Sequence, residues 1–175
     1  MLPQANFIFD SAWQEAYGDR VRAIVGPHVL EPSSFEVDTK RAADFVVKNV
    51  TVACRLRRPG YERYHGQFTI RSVRANGVKT ELAKIEEGWG DWLFYGHVDH
   101  DDLIQPWYLL DLHIFRATLR SARFFLPDCM IGEERENRDG GATAFRAYQI
   151  KRFPSELVIA SSPQRPAREP QEATA

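Results

Sequence analysis

The residues best suited to chemistry lie in one short stretch, RLRRPGYERYHG at 55–66, where arginines alternate with Tyr61, Tyr64 and His65. A guanidinium group grips phosphate oxygens through paired N–H donors, and a tyrosine ring offers a nucleobase a face to stack on. Arg55, Arg57, Arg58, Tyr61, Arg63, Arg71, Arg74 and Lys79 are therefore the candidate nucleic-acid-binding residues. From Lys40 to Lys79 the chain carries ten basic residues against two acidic ones, while the remainder carries thirteen against twenty-two, so the net charge of −1 hides a strongly polarised chain. Such asymmetry points to a polyanionic partner. Nucleic acid is the expected partner, with DNA ahead of RNA. Two structural alternatives stand beside this one: a solvated face balanced by the acidic remainder, and tyrosines packed over neighbouring strands.

A second cluster, His97-Val98-Asp99-His100-Asp101-Asp102, has the ligand types that hold Zn²⁺ or Mn²⁺. The same residues also read as a strand end followed by an exposed acidic turn, which is the expectation here. His28 and His113 are isolated. There is no G-x-x-x-x-G-K-[ST] or G-x-G-x-x-G phosphate loop and no G-x-S-x-G elbow, and Cys54 and Cys129 do not form a C-x-x-C.

The elements that must position these groups follow from periodicity. Trp13, Tyr17, Val21 and Ile24 recur at helical spacing behind an Asp10 or Ser11 cap, and Gly26-Pro27 is expected to end that helix. Residues 30–41 read as a loop. Strands are predicted at 44–48, 50–57 and 67–74, forming an antiparallel meander. In the second strand Val52, Cys54 and Leu56 face one way and Ala53, Arg55 and Arg57 the other. Thr80 is placed to cap a short helix that Gly88 ends. Two apolar strands, 92–98 and 107–110, flank the acidic turn. Asp111 is placed to cap a helix over 112–123, residues 128–141 read as a charged mobile loop, and 143–150 reads as a last strand. The fold class is α+β.

At 175 residues the chain fits one domain, expected over 1–160, with a Pro- and Ala-rich tail at 161–175 expected to be disordered. Two cysteines do not make a disulfide framework, and Cys54 reads as a core residue of a protein in a reducing, cytoplasmic setting. The first residues lack the basic and apolar regions of a signal peptide, and no apolar run suits a membrane span, so no membrane partner is expected. The sequence leaves the oligomeric state open.

The order helix, three strands, helix, strand matches the core of the PD-(D/E)XK nuclease superfamily. The segment ADFVVKNVTVACRLRRPGYERYHGQFTIRSVRANGVKTELAKIEEGWGDWLFYGH also resembles a group of phage and prophage proteins, a resemblance covering about residues 40–160. That superfamily holds Mg²⁺ between an acid on one hairpin strand and the acid of an (Asp/Glu)-x-Lys on its partner, often with a glutamate from the first helix. Carried over, the resemblance implies Asp44 as strand acid and Glu15 as helix acid, together the metal ligands. Glu81 is a further candidate acid, with helix N-terminal charge compensation as its alternative role. Arg55-Leu56-Arg57 stands where the (Asp/Glu)-x-Lys belongs. Arginine cannot ligate a metal and is too basic to serve as a general base.

Three readings remain. The leading one is a degenerate nuclease-like fold that binds nucleic acid, phage or prophage encoded and with no cofactor. The second is an active Mg²⁺-dependent nuclease using Asp44, Glu15 and Glu81. The third is a protein-interaction module without nucleic acid.

Overall fold

The computed structural model describes residues 12–34, 45–74, 77–125, 132–136 and 143–163. The fold is α+β, with strands and helices mixed along the chain. In chain order the elements are α1 (Gly18–Val29), β1 (Leu30–Pro32), β2 (Phe45–Val47), β3 (Val52–Arg57), β4 (Gln67–Val73), α2 (Glu81–Glu86), β5 (Trp92–Val98), β6 (Ile104–Asp111), α3 (Leu112–Phe125), β7 (Glu133–Glu136), β8 (Ala144–Gln149) and β9 (Val158–Ser161).

β5 organises the molecule. Every residue of WLFYGHV is buried, and a strand apolar on both faces has to be internal. β5 takes β3 as a parallel neighbour and β6 as an antiparallel one, and β9 closes the order β3-β5-β6-β9. At Gly96 there is no room for more than hydrogen: an added Cβ would stand 2.6 Å from the Ile104 side chain. A second sheet, β4-β8-β7, is antiparallel throughout.

The four-stranded sheet has a core on each face. On one, Leu56, Trp92, Phe94 and Leu109 pack with Tyr17 and Val25 of the N-terminal helical layer. On the other, Leu93 and Leu110 meet Ile85 of α2, Phe115 of α3 and Phe68 and Tyr148 of the second sheet. The alternation expected in β3 is present: Val52, Cys54 and Leu56 join the first core, and Ala53 joins the second. Burial pushes the Cys54 thiol up to about 11. Among the described residues no helix is long and apolar enough to cross a membrane.

The expected meander does not form. Its three strands fall into three different sheets: β2 pairs with β1, β3 with β5, and β4 with β8. The physical reason is the demand of β5 for a partner on each side, together with a connection at 58–66 too long for a tight hairpin. Parallel pairing of β3 with β5 then uses β4 and α2 as the crossover.

The first helix also differs from expectation. After one helical turn over 12–15, α1 runs through Gly26-Pro27 to Val29. Pro27 sits in the last turn, where the hydrogen bond it cannot make would have gone to the carbonyl of Ala23; both residues are exposed, so water can serve that oxygen. β1 lies inside the segment read as a polar loop, β7 inside the segment read as a charged loop, and β9 in a stretch where no strand was expected. Two of the expected caps are present, while Asp10 and Ser11 lie outside the described residues. Thr80 accepts from Ala83 N at 3.2 Å, and Asp111 accepts from His113 N at 2.7 Å. Of the tail expected from residue 161, Ser161 still belongs to β9, opposite Tyr108, and Ser162 is buried, while residues 164–175 lie outside the described residues.

Candidate nucleic-acid interface

A cavity of about 520 Å³ opens between the two sheets. From the four-stranded sheet it receives Arg57 of β3 and Tyr95 and His97 of β5. From the second sheet come Gln67 and Thr69 of β4, Phe145 of β8, and Arg135 and Glu136 of β7. The connection at 58–66 supplies Tyr61, Arg63 and Tyr64.

Local rules hold that connection in place. Gly60 and Gly66 bracket it with φ of 94° and 82°, left-handed values that an L side chain would strain. Between them Glu62–Tyr64 forms one 3-10 turn, and the Glu62 carboxylate accepts from Gly60 N at 2.8 Å. That bond, first among several, holds the Glu62 carboxyl below its ordinary pKa. Gly66 is tied to the second sheet through its carbonyl, which accepts from Ile150 N at 3.0 Å.

At the floor, Arg57 donates from Nε to the Tyr95 hydroxyl at 2.7 Å, and its Nη2 donates to Thr69 Oγ1. Above it the guanidinium stands 5.5 Å from the Tyr61 ring centre and 5.8 Å from that of Phe145. Arg63 and Arg135 lie 4.7 Å and 5.8 Å from the ring centre of Tyr64. Among the described residues neither Arg57 nor Arg63 has a carboxylate partner, whereas Arg135 pairs with Glu133 at 2.6 Å. Three arginines against the single carboxylate of Glu136 leave the lining net positive.

His97 is 3% exposed, and among the described residues neither ring nitrogen has a hydrogen-bond partner. The ring of His65 meets it edge-on, with centroids 4.7 Å apart. Burial, then the neighbouring charges of His65 and Arg57, push the His97 imidazole down to about 4. Burial likewise lowers His65, against the opposing pull of Glu62.

Of the eight residues nominated for nucleic acid, Arg57, Tyr61 and Arg63 meet in this cleft. Four of the other five are engaged elsewhere. Arg55 pairs with Glu81 at 2.5 Å, and the backbone N–H of Arg71 donates to the same carboxylate at 3.3 Å. Lys79 pairs with Glu87 at 2.7 Å, and Arg58 covers the Trp13 ring at 4.9 Å. Arg74 follows the end of β4, its Nε buried. Arg135, Phe145, Thr69 and Tyr95 were not nominated. The only hint for Arg135 was a charge-rich run, EERE, that carries no apolar alternation.

The three acids implied by the nuclease resemblance are differently placed. Asp44 lies outside the described residues. Glu15 is exposed in the helical layer on one face of the four-stranded sheet, where its neighbour Gln14 donates to the Cys54 carbonyl at 3.2 Å. Glu81 opens α2, whose Leu82 and Ile85 join the core on the other face. Glu15 and Glu81 therefore do not share a centre, and no step through Mg²⁺ follows from them. Among the described residues no three His, Cys, Asp or Glu side chains are grouped as a metal site needs. The HVDHDD cluster disperses as its strand-end and turn reading expects: Asp99 accepts from Asp101 N and Leu103 N, Asp102 pairs with Arg20, and His100 lies 3.6 Å from Glu62.

No family model, curated protein or solved structure matches this chain.

Proposed function

We propose that this protein binds nucleic acid through the cleft between its two sheets and does not cut it. One observation carries the reading. Side chains from four separate parts of the chain, β3, the 58–66 connection, β7 and β8, bring arginine and aromatic groups to one concave surface. Guanidinium groups over ring faces suit a ligand with both phosphate and bases, and two of the three arginines are not neutralised by a carboxylate among the described residues. The engagement of Glu81 by Arg55 favours binding over cutting, because it gives that acid a structural partner instead of a metal.

The test is a fluorescence-anisotropy titration with labelled DNA and RNA oligonucleotides over a range of salt, in Mg²⁺ and in EDTA, with the products run on a gel. Binding whose logarithm falls with log salt, indifferent to EDTA and leaving the strand intact, supports the reading. Cleavage in Mg²⁺ alone would replace it with the nuclease, and absence of binding at low salt would replace it with a protein-facing role.

A further inference from the structure

We propose that the cleft receives a single unpaired nucleotide, so that the preferred partner is single-stranded or locally opened nucleic acid, with Gln67 meeting the base edge. The inference rests on the nucleic-acid reading above and goes beyond it in naming the form of the ligand.

Shape is the first reason. Proteins read a duplex by pushing a helix or strand ribbon outward into a groove. Here the arginines and tyrosines line an inward cavity of about 520 Å³, within the range of roughly 300–1,000 Å³ that holds a small organic ligand. A stacked base pair cannot enter such a space; a base that has left its stack can.

The second reason is how the lining sorts chemically. Phosphate offers only acceptors, and Arg63 and Arg135 are donors set beside Tyr64. Tyr61 is 43% exposed and stands 6.2 Å from Tyr64, centre to centre, so it presents an open ring for stacking.

The third is Gln67. Its side-chain amide lies beside the same cavity and offers both a donor and an acceptor. That pairing of donor with acceptor is what a base edge needs and a bare phosphate does not.

The experiment compares a short labelled single strand with the same sequence as a duplex, on the full chain, with unlabelled nucleoside monophosphates and inorganic phosphate as competitors. The single strand is expected to bind at least about tenfold more tightly than the duplex. Tyr61→Ala, at an exposed position, is expected to remove about tenfold of that affinity. Nucleoside monophosphate should compete where inorganic phosphate at equal concentration does not. Duplex bound as tightly as single strand, with Tyr61→Ala unchanged, would overturn the inference and leave the nucleic-acid reading standing. Equal competition by inorganic phosphate would also overturn it, reducing the cleft to an anion site. Failure of every oligonucleotide to bind would overturn the underlying reading itself.

Discussion

Arg57 donates to the Tyr95 hydroxyl at 2.7 Å, and Tyr95 is 2% exposed. Through this bond and its partner to Thr69, one arginine of β3 is anchored to β5 in its own sheet and to β4 in the other. The guanidinium is thereby fixed before any ligand arrives, which lowers the entropy cost of gripping one.

Removal of that anchor is the first prediction. Tyr95→Phe deletes a buried acceptor and leaves its donor partly unmet, so unfolding in urea should show a loss of about 1–2 kcal/mol. Arg57→Lys keeps the charge but loses the planar fork; the fold should persist while oligonucleotide affinity falls about tenfold.

The Arg55–Glu81 pair separates structure from catalysis. Its side chains are 23% and 25% exposed, so it is shielded more than a surface pair. Glu81→Ala should cost about 1–2 kcal/mol of stability and change oligonucleotide affinity by less than about twofold. A loss of Mg²⁺-dependent cleavage in this variant, on a gel, would instead assign Glu81 to chemistry.

Stability should fall on mild acidification because of His97. Its ordinary value is 6.5, and the folded state holds it at about 4. Below pH 6.5 the unfolded chain takes up a proton that the folded chain refuses. Stability is therefore lost as pH falls from 6.5 to about 4, reaching about 3 kcal/mol, and this group adds no pH dependence above that window. His65 acts in the same direction. Carboxylates held below their ordinary values, Asp91 and Asp102 among them, contribute only in more acid solution. Urea midpoints measured from pH 7 to pH 5 should drop in the native protein and stay flatter in His97→Gln.

The parts of the fold that were legible in the sequence are those set by local pattern. The Trp13, Tyr17, Val21 and Ile24 stripe packs on one core, Thr80 and Asp111 cap their helices, and Arg55 and Arg57 share a face of β3. What could not be read is non-local. Nothing near Val52–Arg57 says that its partner is Trp92–Val98 across a crossover, because pairing is settled by which strand is apolar enough to be central. β7 escaped for the opposite reason: an edge strand of EERE exposes charge on both faces, as edge strands do to avoid further pairing, and so has no two-residue rhythm. Hence Arg57, Tyr61 and Arg63 could be nominated from sequence, and Arg135 could not.

The cleft, not the basic segment at large, is the proposed binding surface, and one comparison tests that most directly. Arg63→Ala with Arg135→Ala removes two cations from the cleft, while Arg58→Ala removes one that covers Trp13 at the N-terminal helical layer. Both proteins would be titrated with the same single-stranded oligonucleotide across a series of salt concentrations. The double variant should lose at least about tenfold in affinity, with its salt slope reduced by about 1.4, and Arg58→Ala should stay within about twofold of the native protein. Equal losses in the two proteins, or a larger loss from Arg58→Ala, would contradict the cleft as the binding surface.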